Sequence, residues 1–81
     1  MKLFNLIHPG EILLEDFLIP MGISPESLAT DLNISVHRTK MILQGTCHIN
    51  AELAIKLARR FNTTAQFWMN LQVAFDLGRL Q

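Results

Sequence analysis

The sequence predicts a compact all-α domain built around a helix-turn-helix. Three observations carry this. Apolar residues recur at helical spacing in five separate runs. A residue suited to starting a helix stands ahead of each run: His8-Pro9, Ser24-Pro25, Ser35, Asn50 and Thr64. The stretch Ser24 to Gly45 reads as two short helices joined by a three-residue turn, the second free of carboxylates. Eighty-one residues make one domain, 1–81, in which residues 1–7 form an N-terminal arm.

The arm is apolar at Leu3, Phe4, Leu6 and Ile7. It is either an ordered extension packed on the domain or a short edge strand. Helix one then starts with Pro9 at its first position, where a missing N–H costs nothing, and Glu11 suits the positive end of the helix dipole. Leu13, Leu14, Phe17 and Leu18 form its inward stripe, and Pro20 with Gly22 end it.

Helix two opens with Ser24 as cap and Pro25 at its first position. Leu28, Ala29 and Leu32 face inward, and the small Ala29 allows a second helix to cross steeply. Asn33 tolerates the left-handed conformation that closes a helix, and Ile34 plugs the turn. Ser35 caps helix three, whose inward residues are Thr39, Ile42 and Leu43, and Gly45 ends it. The pattern is that of a device for laying one helix in the major groove of DNA. The candidate DNA contacts are Ser24, Ser35, Val36, His37, Arg38, Lys40, Met41 and Gln44. The backbone N–H groups at Ser24 to Ser27 and Ser35 to His37 are candidate phosphate holders. Val36 suits either a thymine methyl or ordinary packing, and His37 and His48 suit either a phosphate or a plain surface role.

Net charge is zero, yet its distribution is uneven. Residues 1–31 carry a net −4 and residues 32–60 a net +4, and no acid occurs between Leu32 and Ala51. The basic half contains helix three, which is the arrangement an anionic partner requires.

Asn50 caps helix four, with Leu53, Ala54, Leu57, Ala58 and Phe61 toward the core. Lys56, Arg59 and Arg60 face outward, and Glu52 pairs with Lys56 at i,i+4. Thr64 caps helix five. Its apolar residues include Phe67, Trp68, Met69, Leu71, Val73, Phe75 and Leu77, too many for one stripe. One face closes the domain's own core, with Trp68 and Phe67 at the seam. The other predicts a homodimer interface of Phe67, Trp68, Met69, Leu71, Val73 and Phe75. A dimer suits DNA half-sites roughly 34–36 Å apart.

The sequence argues against an enzyme, since no nucleophile with an evident base, phosphate-cradling glycine loop or suitable carboxylate pair is present. Glu15 and Asp16 are adjacent and so point about 100° apart on a helix. Cys47 beside His48 lacks further ligands for a metal, and neither a cofactor nor a small-molecule substrate is expected. A single cysteine fits a cytoplasmic location, and no signal peptide or membrane-spanning run is legible.

Five segments together resemble a known family: H-P-G-E-I-L (His8 to Leu13), M-G-I-S (Met21 to Ser24), S-L-A (Ser27 to Ala29), I-N-A-E-x-A-x-x-L-A (Ile49 to Ala58) and F-W-x-N-L-Q (Phe67 to Gln72). The chain resembles the HigA antitoxins, also known as virulence-associated protein I, of the XRE class of helix-turn-helix proteins. The resemblance runs from Ile7 to Leu77 and implies a five-helix domain of the lambda-repressor-like type, usually a homodimer. It implies an antitoxin that binds double-stranded operator DNA, represses its own operon and neutralises a HigB-like toxin, a RelE-like ribonuclease that cuts messenger RNA. A toxin would meet the arm at Leu3, Phe4, Leu6 and Ile7 and the acidic face of helix one at Glu11, Glu15 and Asp16. Pro25, Thr30, Asp31, Thr39 and Thr46-Cys47 depart from the family's usual residues. Several departures remove a phosphate contact, so DNA binding weaker and less salt-steep than the family's is expected. The other readings are a stand-alone regulator of the XRE type and a protein-interaction antitoxin with weak DNA binding.

Overall fold

The computed structural model describes residues 6–80, and among them are five helices and no strand. Three contiguous segments, Pro9–Ile12, Leu13–Leu18 and Ile19–Met21, form one helix, α1. The others are α2 (Pro25–Leu32), α3 (Val36–Leu43), α4 (Ala51–Phe61) and α5 (Ala65–Leu80).

The caps form as their side chains dictate. The Ser24 hydroxyl accepts from the Ser27 amide at 3.0 Å, Ser35 from Arg38 at 3.0 Å, Asn50 from Leu53 at 2.9 Å and Thr64 from Phe67 at 3.1 Å. Asn33 (φ 55°), Gly45 (φ 81°) and Asn62 (φ 54°) turn left-handed and stop α2, α3 and α4.

Helix α1 departs from expectation. Pro20 does not end it; the helix continues through Met21, and Gly22 at φ 67° closes it. The Gly22 amide returns to the Ile19 carbonyl and the Ile23 amide to the Leu18 carbonyl. Pro20 survives inside because the turn ahead of it is wide. Leu13–Leu18 is π-helical, and the Ile19 amide reaches the Leu14 carbonyl five residues back. Widening relieves the crowding that a proline ring imposes on the preceding turn of an α-helix. Leu13 and Leu18, each 1% exposed, are accordingly five residues apart, while Leu14 and Phe17 are half-buried beside them.

The core draws on every helix. Leu28, Ala29 and Leu32 of α2 meet Ile42 of α3 and Leu53, Ala54 and Leu57 of α4. Each leucine or isoleucine among them contributes about 1.5–3 kcal/mol on burial. Thr39 is also buried, and its hydroxyl donates to the Ser35 carbonyl at 2.9 Å, so a polar residue in an inward slot leaves nothing unsatisfied.

Trp68 is sealed in this core at 0% exposure. Its ring lies 5.3 Å from Phe17, and Nε1–H donates to the Thr63 hydroxyl at 2.8 Å. Trp68 therefore leaves the set of residues able to meet a second chain. Met69 and Leu71 are half-buried against the core, and the half-buried Phe75 ring stands edge-on to His8 at 4.9 Å. The large outward apolar residues of α5 are Phe67, Val73 and, unforeseen in that role, Leu77 and Leu80.

Leu3 and Phe4 lie outside the described residues. Leu6 is half-buried against α5, where a Cβ added to Gly78 would come within 2.6 Å of its side chain. Ile7 is exposed, and residues 6–8 take no strand conformation, so this part of the arm is a packed extension. Among the described residues, no helix is long and apolar enough to cross a membrane.

Candidate nucleic-acid interface

The sequence of α3 divides its surface cleanly. Thr39 and Ile42 point inward, and Arg38, Met41 and Leu43 are half-buried on the flanks. Val36, His37, Lys40 and Gln44 are exposed, at i, i+1, i+4 and i+8, which puts them on one face. Ser24 and Ser35 are exposed at the starts of α2 and α3, with their hydroxyls engaged as caps. Two of the local amides are thereby taken: those of Ser27 and Arg38 already have serine acceptors. Ser27 drops out of the candidate phosphate holders for that reason.

Folding offsets part of the charge asymmetry of the sequence. Acids of the N-terminal half sit against cations of the other half. Lys40 Nζ lies 3.5 Å from Glu26 Oε2, and Arg60 Nε donates to Asp31 Oδ2 at 2.8 Å. Lys56 pairs with Glu52 at 3.6 Å, as its spacing predicts. Among the described residues, Arg38 and Arg59 have no carboxylate within ion-pair distance. Helix α3 itself contains no acid, yet its neighbours supply them. Glu11 and Glu15 of α1 line a groove of about 250 Å³ together with Leu43, Gln44 and Gly45 at the end of α3.

Besides its packing on α2, α3 is held at two junctions, one on its own backbone and one on the connection that leads to α4. At the first, Gly10 lies directly against the α3 backbone. A Cβ built on Gly10 would stand 1.8 Å from the Ile42 carbonyl oxygen, so only glycine permits the approach. His8 closes the same junction. Its Nδ1 accepts from the Gly10 amide at 2.9 Å, and its ring lies against Gly45. Burial lowers the His8 pKa below the usual 6.5, and the nearby His48 lowers it further, against the raising influence of Asp76 and the Cys47 carbonyl. The ring is thus kept neutral, and Nδ1 keeps the lone pair that caps α1.

At the second junction, Gln72 of α5 is buried and grips the segment after α3. Its Oε1 accepts from the Ile49 amide at 2.8 Å, and its Nε2 donates to Asp76 Oδ1 at 3.0 Å. Asp76 in turn lies 3.7 Å from His48 Nδ1. One signal in the sequence marked Gln72: it follows Trp68 by four residues and so shares its inward face. Gly10 of H-P-G-E thus meets α3 itself, and Gln72 of F-W-x-N-L-Q the connection that follows it.

Comparison with known proteins places this architecture. No family model matches the chain. Antitoxin HigA-1 of Vibrio cholerae is 38% identical over 71 residues, which cover 88% of this chain and 67% of the relative. The chain belongs to the HigA antitoxin family. Virulence-associated protein I of Dichelobacter nodosus is 46% identical over 71 residues, 88% of this chain and 66% of its own length. The chain thus spans about two thirds of the length of these curated relatives. Among solved structures, Pseudomonas aeruginosa antitoxin HigA with the higBA promoter superposes with a TM-score of 0.91 at 45% identity, over 94% of this chain and 83% of that one. HigA-family membership agrees with the all-helical fold and with the exposed face of α3.

Proposed function

We propose that this chain is a DNA-binding antitoxin in which α3 enters the major groove of double-stranded operator DNA and represses its own operon. The observation that carries the reading is the single exposed face of Val36, His37, Lys40 and Gln44 on a HigA-type scaffold. Lys40 and Arg38 contact phosphate or guanine edges, Gln44 hydrogen-bonds a base or the backbone, and Val36 meets a thymine methyl. Ser24, Ser35 and Met41 border this contact. The Pseudomonas relative solved with its promoter supports the same use of the fold. Replacing Arg38 and Lys40 with Ala should weaken binding to the duplex upstream of the gene by about 1–3 kcal/mol for each residue that reads a guanine. Unchanged affinity in a folded double variant would remove both from the interface.

The same reading includes a homodimer and a toxin. Phe67, Val73 and Leu77 give α5 an exposed apolar face, which supports pairing with a second copy. A HigB-like, messenger-cleaving toxin would meet the exposed Ile7, Glu11 and Glu15, whose carboxylates suit a basic nuclease. Sedimentation of the chain alone, and after co-expression with the adjacent reading frame, tests both points. Two copies alone and a heavier complex together are expected. A monomer at micromolar concentration would defeat the dimer, and failure to co-purify would defeat the toxin.

The alternative of a protein-interaction antitoxin with weak DNA binding has one observation in its favour. Lys40 and Arg60 are already paired within the protein, which lowers the charge offered to phosphate. A shallow dependence of DNA affinity on salt distinguishes it.

A further inference from the structure

Glu26 stands in the first turn of α2, and its carboxylate faces the one lysine on the exposed side of α3. The Lys40 and Glu26 side chains are 52% and 60% exposed. An ion pair so open to water is weak and readily exchanged. A DNA phosphate offers Lys40 the same chemistry, an anionic oxygen within hydrogen-bonding reach. We infer that Glu26 tempers DNA binding: it occupies Lys40 in the free protein, and a duplex gains this cation only by displacing the carboxylate. The inference rests on α3 being the DNA-facing helix, and it adds a residue that lies outside that helix.

The cost of displacing the carboxylate is set in the free protein, so it falls equally on every duplex that takes Lys40. Glu26 therefore lowers affinity for random and cognate sequence by a similar factor, through the charge that supplies phosphate binding. The base-edge contacts of Val36 and Gln44 are left uncontested.

The test compares the native protein with Glu26→Gln, Lys40→Gln and the double variant. Two probes are used, a random-sequence duplex and the duplex upstream of the gene, each titrated at several salt concentrations. Glu26→Gln should raise affinity for the random duplex about three-fold, and for the upstream duplex by a similar factor. The slope of log affinity against log salt should steepen by up to ~0.9, the value of one phosphate contact. In the Lys40→Gln background the gain should shrink. An equal gain in that background means that Glu26 merely repels DNA, and overturns the inference. A selective loss of upstream-duplex affinity means that the carboxylate reads a base edge, and overturns it too. Native protein that binds DNA while Glu26→Gln changes nothing defeats this inference alone. Native protein that binds neither duplex removes the DNA-facing reading along with it. Thermal melts of the variants establish that each is folded.

Discussion

The two junctions that hold α3 are built on opposite physics. At the α1 junction, backbone meets backbone: Gly10 touches the Ile42 carbonyl, and no side chain intervenes. At the α5 junction, a side chain spans the gap, with Gln72 reaching the Ile49 amide through a hydrogen bond. The first tolerates no added volume but depends little on polarity. The second leaves a buried amide unpaired if its acceptor is lost. A helix aimed at a partner needs both kinds, because van der Waals contact fixes distance and hydrogen bonds fix direction.

The difference predicts a ranking of damage. The largest effect belongs to Gly10→Ala. The added methyl meets a backbone carbonyl that cannot rotate away, and about 3 kcal/mol of stability should be lost as α1 and α3 separate. Chemical denaturation measures it; a loss below about 0.5 kcal/mol would mean that the helices slide apart without strain. Next comes Gln72→Leu, close in volume but without an acceptor. The Ile49 amide is orphaned, and about 2 kcal/mol should go. Amide exchange at Ile49 should quicken more than at Leu57, and equal quickening at both would show that the tether is not local.

The smallest effect sharpens the first junction rather than breaking it. His8 is held neutral when folded, with its pKa below the 6.5 of the open chain. Above about pH 6.5 neither state binds the extra proton, and pH is without effect through this group. As pH falls below that value the unfolded chain takes up a proton that the folded chain refuses. Stability then declines until the folded pKa is passed. Thermal melting from pH 7.5 to 5 should show this decline, and His8→Asn, which retains a capping oxygen, should reduce it. An identical decline in His8→Asn would assign the effect to other groups.

These junctions also mark where the sequence stops being legible. Most of what is decided within a turn could be read directly; the wide turn that carries α1 through Pro20 could not. Ser24, Ser35, Asn50 and Thr64 cap as expected because cap and amide are three residues apart. Asn33 and Gly45 close helices because their conformation is intrinsic to them. The family's segments were legible as resemblance, but their mechanics were not. Gln72 and Ile49 are 23 residues apart, and Arg60 and Asp31 are 29 apart. No local pattern encodes a meeting at that range. For the same reason a charge count by halves of the chain misses part of the surface: Glu26 and Asp31 belong to the acidic half and pair with Lys40 and Arg60 of the basic one. Trp68 misled differently. A large apolar residue in an over-wide apolar helix fits either an interface or a core, and only its neighbours Phe17 and Thr63 decide.

The wide turn in α1 carries a consequence for the whole helix. Ahead of it, Pro9–Ile12 is clocked to α3 through Gly10; beyond it, Leu18 and Phe17 are clocked to the tryptophan cluster. A uniform spiral would present both surfaces in one fixed phase, and gains at one neighbour would be losses at the other. The π turn works as a slip coupling between two short rotors, each free to settle its own angle.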